Sequence, residues 1–140
     1  MKCFVGTSAF YALEDPDDRS HPEAVRIQRD LTAERPDLYT TNHVLDECVT
    51  LIGARLGARR AILFARDLMS SRLLRIVRTD EQMEQAALVL YERFSDARVS
   101  YTDCLSFTAM RARDIRCAFA FDRHFERAGF ELVRPSTGRD

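Results

Sequence analysis

The sequence contains no tryptophan, and only five glycines, four prolines and four cysteines occur among its 140 residues. The cysteines form no C-x-x-C pair and lie in apolar segments, so we predict buried free thiols rather than a zinc site or a disulfide framework. They are Cys3, Cys48, Cys104 and Cys117. No apolar run approaches the roughly 20 residues of a membrane-spanning helix, and the N-terminus lacks the basic start and long apolar segment of a signal peptide. We therefore expect a cytoplasmic protein with no membrane contact.

Acidic and basic residues balance over the whole chain but not along it. The formal net charge is -1, whereas residues 53–78 hold seven arginines and a single acidic residue, Asp67. A strongly basic segment in a near-neutral protein is typical of a surface that meets a polyanion. A solvated, arginine-rich helical face explains the same composition, and both interpretations are open at this point.

Short apolar runs alternate with amphipathic segments along the chain. The runs end near Gly6, Thr41, Val77, Phe121 and Val133. This alternation predicts an α/β fold with a parallel, doubly wound, Rossmann-like sheet of four to five strands and helices on both faces. The length fits one domain over residues 1–135, followed by a frayed tail at residues 136–140.

Several predicted helices begin at residues that can cap a helix. Asn42 is predicted to cap the helix after the second strand, and Thr79 with Gln82 has the spacing of a capping box. The segment 100–109 begins with polar residues and continues as an apolar-sided helix, for which we predict Thr102 or Asp103 as the cap.

Three acidic residues are predicted to meet at the carboxyl edge of the sheet. Glu47 lies early in the helix after the second strand, Asp103 opens a helix, and Asp122 directly follows the fourth strand. Clustered carboxylates repel one another unless a cation neutralises them, and oxygen ligands suit Mg²⁺ or Mn²⁺. A hard cation beside a basic segment points to phosphodiester hydrolysis. Taken singly, Asp103 can also be a simple cap and Glu47 a partner of the helix dipole.

Four motifs in this order resemble the PIN-domain ribonucleases, and in particular the VapC toxins of bacterial toxin–antitoxin pairs. They are FVGTSAFYAL at 4–13, TNHVLDE at 41–47, YTDCLSF at 101–107 and AFAFDRHF at 118–125, followed by AGF at 128–130. The resemblance covers nearly the whole chain and implies a PIN-like version of the α/β fold. It also implies a Mg²⁺-dependent endoribonuclease, with Mn²⁺ as the alternative metal.

The family's acidic quartet carries over to Glu47, Asp103 and Asp122, but its first member does not. Where the family has aspartate at the end of the first strand, this chain has Gly6, so we expect weakened metal binding and weakened or lost activity. Three explanations are open: a residue changed deliberately or selected during cloning because an active toxin poisons its host, a naturally inactive member, or a site in which three carboxylates and a water suffice. Thr7 and Ser8 are predicted to orient a carboxylate or a metal-bound water, or to cap the first helix.

The resemblance implies that a metal-activated water attacks phosphorus in line, leaving 5′-phosphate and 3′-hydroxyl ends. Arg123 is the predicted phosphate contact beside Asp122, and Arg59 and Arg60 are predicted to hold RNA backbone. His43 and His124 are predicted to have packing or capping roles, because a metal-activated water needs no histidine. The implied partners are a VapB-like antitoxin, a structured RNA of the tRNA or rRNA class, and a second copy in a homodimer.

Two other functions are compatible with the sequence. A catalytically dead PIN domain would act as an RNA- or antitoxin-binding module, which natural glycine at position 6 favours. Another Mg²⁺-dependent phosphate enzyme on a similar sheet would need a nucleophilic aspartate just after the first strand. Gly6 removes that residue, and no P-loop or G-x-G-x-x-G motif offers a nucleotide site instead.

Overall fold

Five parallel strands form one sheet at the centre of the computed structural model, which describes residues 1–95 and 98–136. The strands are β1 (Lys2–Val5), β2 (Asp37–Thr41), β3 (Leu74–Val77), β4 (Cys117–Phe119) and β5 (Glu131–Leu132). Their order is β3-β2-β1-β4-β5, so the chain reverses its direction of travel across the sheet between β1 and β4. Ligands of open α/β sheets bind at the carboxyl ends of the strands beside such a switch point. The predicted α/β fold is confirmed.

Seven helices connect or flank the strands in the described part of the chain. They are α1 (Thr7–Glu14), α2 (His21–Glu34), α3 (Asn42–Leu56), α4 (Ala58–Ser70), α5 (Glu81–Arg93), α6 (Tyr101–Ala112) and α7 (His124–Arg127). α3 packs on α4, and α5 packs on α6. Within these residues no helix is both long enough and apolar enough to cross a membrane.

An aromatic cluster connects the central strand to the two helices that carry the candidate site. The Phe125 ring of α7 packs 6.0 Å from Phe4 of β1 and 5.2 Å from Phe107 of α6, measured between ring centroids. All three rings are buried, and burying each one stabilises the fold by about 1.5–3 kcal/mol. This packing holds the start of α7 beside the start of α6.

The prediction that Thr102 or Asp103 caps α6 is wrong, because the cap is Ser100. The Ser100 hydroxyl accepts a hydrogen bond from the Asp103 backbone N–H at 3.0 Å, and the Asp103 carboxylate accepts one from the Ser100 N–H at 3.1 Å. The two bonds form a reciprocal capping box. Asp103 is therefore fixed in the first turn rather than at the cap.

The other two cap predictions are also wrong by one position. Thr41, which has extended backbone angles, caps α3 and accepts from the Val44 N–H, while Asn42 accepts from the Thr79 N–H instead. Asp80 rather than Thr79 caps α5. Each true cap is the last residue with extended dihedrals before its helix. Neighbouring Thr, Asn and Asp residues are all suitable caps, so residue type alone does not show which of them has these dihedrals.

The remaining differences lie at element ends and at the cysteines. β3 ends at Val77, where the predicted run ends, but β4 ends at Phe119 rather than near Phe121. All four cysteines are free, as predicted; Cys117 is half-buried and the other three are buried. Of the predicted tail, Ser136 bonds to Asp30, and residues 137–140 lie outside the described residues.

Candidate active site

Thr7 and Ser8 begin α1, and the alternative prediction that they cap it is wrong because Gly6 is the cap. This first turn of α1, called the β1 turn because it directly follows β1, contacts two of the predicted acidic residues through its hydroxyls. The Thr7 hydroxyl donates to Glu47 Oε1 at 2.5 Å, and the Ser8 hydroxyl donates to Asp122 Oδ2 at 3.2 Å. Ser8 also accepts from the Phe121 N–H at 2.8 Å, which ties the turn to the end of β4. The β1 turn therefore sets the positions of two carboxylates that come from opposite sides of the central strand.

The third acid, Asp103, is oriented by its own helix. The capping box holds its Oδ2 atom at the N-terminus of α6, where the positive end of the helix dipole stabilises a negative charge. The same oxygen lies 2.9 Å from His124 Nδ1. His124 of α7 therefore connects Asp103 to Asp122, because its Nδ1 atom lies near a carboxylate oxygen of each.

Asp103, Asp122 and His124 form a compact cluster in which one ligand-type atom of each lies within 4.8 Å of the others. The backbone N–H of His124 donates to Asp122 Oδ1 at 3.3 Å, and the Nδ1 atom of the His124 ring lies 3.7 Å from the same oxygen. The three side chains keep 18–34% of their surface exposed, so solvent ions can reach them. His124 faces two carboxylates, a contact that the sequence did not indicate, and its predicted packing or capping role stays a prediction. His43 instead contacts the Thr79 hydroxyl, with Nε2 at 2.8 Å.

The electrostatics of the cluster favour a bound cation. Partial burial raises the pKa of Asp122, and the neighbouring Asp103 carboxylate raises it further, while His124 and the Ser8 hydroxyl act in the opposite direction. The shift therefore reflects mainly a carboxylate held partly away from water and secondly its repulsion by Asp103, and a bound cation would stabilise the charged form. Glu47 stands outside the three-residue cluster and connects to it through the β1 turn.

Gly6 occupies the end of β1, where its N–H donates to the Phe119 carbonyl at 3.0 Å. Its backbone is extended, a conformation open to any residue. A Cβ atom at this position would lie 3.3 Å from Phe125 Cζ and 3.5 Å from Ala120 Cβ. An aspartate at position 6 is therefore compatible with the backbone but requires the Phe125 ring to move by a few tenths of an ångström.

The three predicted basic contacts have different surroundings. Arg123 is exposed and directly precedes α7, next to Asp122 in the chain. Arg59 is exposed on α4. The Arg60 guanidinium donates to the Glu14 carbonyl and lies 3.8 Å from the Glu14 carboxylate, which gives it a structural contact at the end of α1.

Residues 3–131 match the PIN domain, so the protein belongs to the PIN-domain family. The sequence is 36% identical over 132 residues to the 23S rRNA-specific endonuclease VapC20 of Mycobacterium tuberculosis, covering 94% of this chain and 98% of the relative. It is 27% identical to a VapC ribonuclease of Archaeoglobus fulgidus, covering 100% of this chain and 85% of that one. Within the family the chain is of the VapC toxin type, as the sequence motifs predict.

Solved structures agree with this assignment. The crystal structure of M. tuberculosis VapC20, described as a sarcin–ricin loop cleaving toxin, superposes with a TM-score of 0.85 and covers 95% of this chain and 99% of that chain. The crystal structure of VapBC2 from Rickettsia felis, bound to a DNA fragment of its promoter, has a TM-score of 0.70 at 13% identity, covering 95% of this chain and 98% of that one. The second likeness shows the fold alone.

Proposed function

We propose that this chain is the toxin of a toxin–antitoxin pair and cleaves RNA with a divalent metal ion. The observation that carries the proposal is the meeting of Asp103 and Asp122 in a VapC-type chain, with Glu47 linked to them through the β1 turn. VapC20, at 36% identity, is described as a 23S rRNA-specific endonuclease. We therefore propose ribosomal RNA as the substrate class of this chain.

The donor set fits the metal that the family implies. Asp103 and Asp122 offer carboxylate oxygens at a partly exposed site, where partial burial and then the neighbouring Asp103 carboxylate raise the pKa of Asp122. Mg²⁺ or Mn²⁺ would be held by these two residues with Glu47, and would supply an activated water and charge stabilisation on the phosphate oxygens. Because water rather than the ribose 2′-hydroxyl attacks, the products carry 5′-phosphate and 3′-hydroxyl ends.

The chain's own hydroxyls and arginines have supporting roles in this proposal. Ser8 orients Asp122 and Thr7 orients Glu47 through the hydrogen bonds described above. The exposed Arg123 contacts a substrate phosphate beside the carboxylates, and Arg59 adds sequence-independent attraction for the RNA backbone. Arg60 also contacts Glu14, so we propose that it contributes less to RNA binding than Arg123 and Arg59.

A second candidate function rests on the contact between Gly6 and Phe125. Because residue 6 is glycine, the site has three acids instead of four, and the Phe125 ring packs 3.3 Å from where a Cβ atom at this position would lie. A protein of this kind would bind RNA or an antitoxin and cleave slowly or not at all.

Exposed apolar side chains on two helices support protein partners. Ile62, Leu63 and Met69 of α4 and Leu88 and Val89 of α5 are each about half exposed, between 49% and 59%. We propose that a VapB-like antitoxin and a second copy of the chain cover these surfaces. The similarity to VapC20, at 36% identity, supports an antitoxin partner through the VapC toxin type.

Inducible expression in a bacterial host without an antitoxin tests the nuclease proposal. The natural chain, Gly6→Asp and the double variant Gly6→Asp/Asp103→Asn are compared by growth and by the integrity of ribosomal and transfer RNA. We expect Gly6→Asp to arrest growth and produce discrete RNA fragments, the natural chain to do so weakly, and the double variant not at all. Intact RNA and normal growth with all three, despite normal protein levels, would reject the nuclease and favour the binding module.

A further inference from the structure

The donor atoms around His124 lie close enough together to be ligands of one metal ion. Nδ1 of His124 lies 2.9 Å from Asp103 Oδ2 and 3.7 Å from Asp122 Oδ1. Adjacent ligands on an octahedral ion with bonds of about 2.1 Å are about 3.0 Å apart. The His124–Asp103 pair has this spacing, and the longer distance from His124 to Asp122 would have to shorten for all three atoms to bind one ion.

The imidazole is also held in place by its own segment. The His124 backbone N–H bonds to Asp122, and the next residue, Phe125, is anchored in the aromatic cluster with 2% of its surface exposed. The side chain of His124 remains 30% exposed, which leaves room for water ligands on the solvent side.

We propose that His124 is a metal ligand, and that Asp103, Asp122 and His124 form a mixed nitrogen–oxygen site that prefers Mn²⁺ and Co²⁺ to Mg²⁺. The inference rests on the proposed function, because it assumes that the site binds a divalent cation. Gly6 offers no carboxylate after β1, and the His124 imidazole supplies a third donor beside Asp103 and Asp122. Mg²⁺ selects oxygen ligands, whereas imidazole nitrogen favours transition metals.

Metal binding to the full chain, without RNA, tests this assignment. Mn²⁺, Co²⁺ and Mg²⁺ affinities are measured by calorimetry for the natural chain, His124→Gln and the control His43→Gln, whose imidazole contacts Thr79 outside the cluster. We expect at least tenfold tighter binding of Mn²⁺ than of Mg²⁺ by the natural chain. His124→Gln should bind Mn²⁺ about tenfold or more weakly and should change little in its affinity for Mg²⁺. The magnitude follows because losing even an outer-shell partner of a metal ligand typically lowers affinity by this much.

Pulsed EPR of bound Mn²⁺ gives a direct second readout. Histidine-nitrogen coupling should be present in the natural chain and in His43→Gln and absent in His124→Gln. The variant His124→Asp should bind Mg²⁺ more tightly than the natural chain and show no nitrogen coupling, which guards against a loss caused by misfolding.

The outcomes separate the inference from the proposed function. Absence of nitrogen coupling in the natural chain, or its persistence in His124→Gln, would overturn the assignment of His124 even if RNA is cleaved. Nitrogen coupling in a protein that cleaves no RNA under any metal would support the metal site and reject the nuclease.

Discussion

Replacing Gly6 with aspartate adds a fourth carboxylate where the β1 turn meets Asp103 and Asp122. The backbone at Gly6 has a φ of -97° and a ψ of 173°, so the substitution introduces no backbone strain. The new Cβ atom would contact Phe125 Cζ at 3.3 Å, and Phe125 is 2% exposed, so its ring moves only with its neighbours. We expect a destabilisation of about 1–3 kcal/mol, the usual cost of overpacking a core.

The consequence for the metal-free protein is a fall in Tm of roughly 3–10 °C. Bound metal should make Gly6→Asp the more stable of the two chains, because the added carboxylate is a further ligand for a cation that the site already attracts. We expect Mn²⁺ affinity to rise by about tenfold or more, judged from the losses that follow removal of even outer-shell partners. Calorimetry and thermal unfolding with and without Mn²⁺ measure both effects.

Two matched variants separate the packing effect from the charge effect. Gly6→Ala introduces the Cβ contact with Phe125 alone, and Gly6→Asn introduces the shape of aspartate without its charge. An unchanged Tm in Gly6→Ala would refute the packing argument. Mn²⁺ affinity in Gly6→Asp that is no higher than in Gly6→Asn would refute position 6 as a metal-ligand position.

Three further predictions follow from local structure. Ser100→Ala removes one half of the capping box and should lower the free energy of unfolding by about 1 kcal/mol, measured by urea denaturation; no change would contradict the role of Ser100 as cap. Because the pKa of Asp122 is raised on folding, its contribution to metal-free stability is present below the ordinary aspartate pKa and is lost as pH rises through the raised value. Asp122→Asn should therefore be more stable than the natural chain at pH 7 but not at pH 3, by thermal unfolding at both; equal Tm values at pH 7 would contradict this. A hydrogen bond from Cys3 lowers the pKa of the half-buried Cys117 thiol, while burial raises the pKa of the Cys48 thiol to about 12. Iodoacetamide should therefore label Cys117 before Cys48, which peptide mass spectrometry would show. Faster labelling of Cys48 would refute this order of reactivity.

The convergence of the acids was predictable because it follows from the geometry of a parallel sheet. The run before Gly6 reads as a strand buried on both faces, and Asp122 follows another such run, so both lie at the same edge. The link from Ser8 to Asp122 then requires only that β1 and β4 be neighbours. Edge geometry of this kind is independent of side-chain detail.

The contact between His124 and Asp103 could not be predicted from the sequence, because it depends on packing between elements that are distant in the chain. His124 faces Asp103 only because the Phe125 ring packs against Phe107 and brings α7 beside α6. A histidine two residues after a site aspartate was the available signal, but it could not be distinguished from a packing residue. The Ser100 cap was hidden for a local reason, since Ser100, Thr102 and Asp103 can each cap a helix and only the backbone dihedrals decide among them.

Mapping the ends of ribosomal RNA fragments tests the central claim most directly. Purified natural chain, Gly6→Asp and Gly6→Asp/Asp103→Asn are incubated with ribosomal RNA in Mn²⁺, in Mg²⁺ and in EDTA, and the new 5′ ends are mapped and tested for phosphate. The account predicts cleavage at discrete positions with 5′-phosphate ends, strongest for Gly6→Asp and abolished by EDTA or by Asp103→Asn. Equal cleavage in EDTA or by the Asp103→Asn variant, or no cleavage by any form that binds metal, would contradict it.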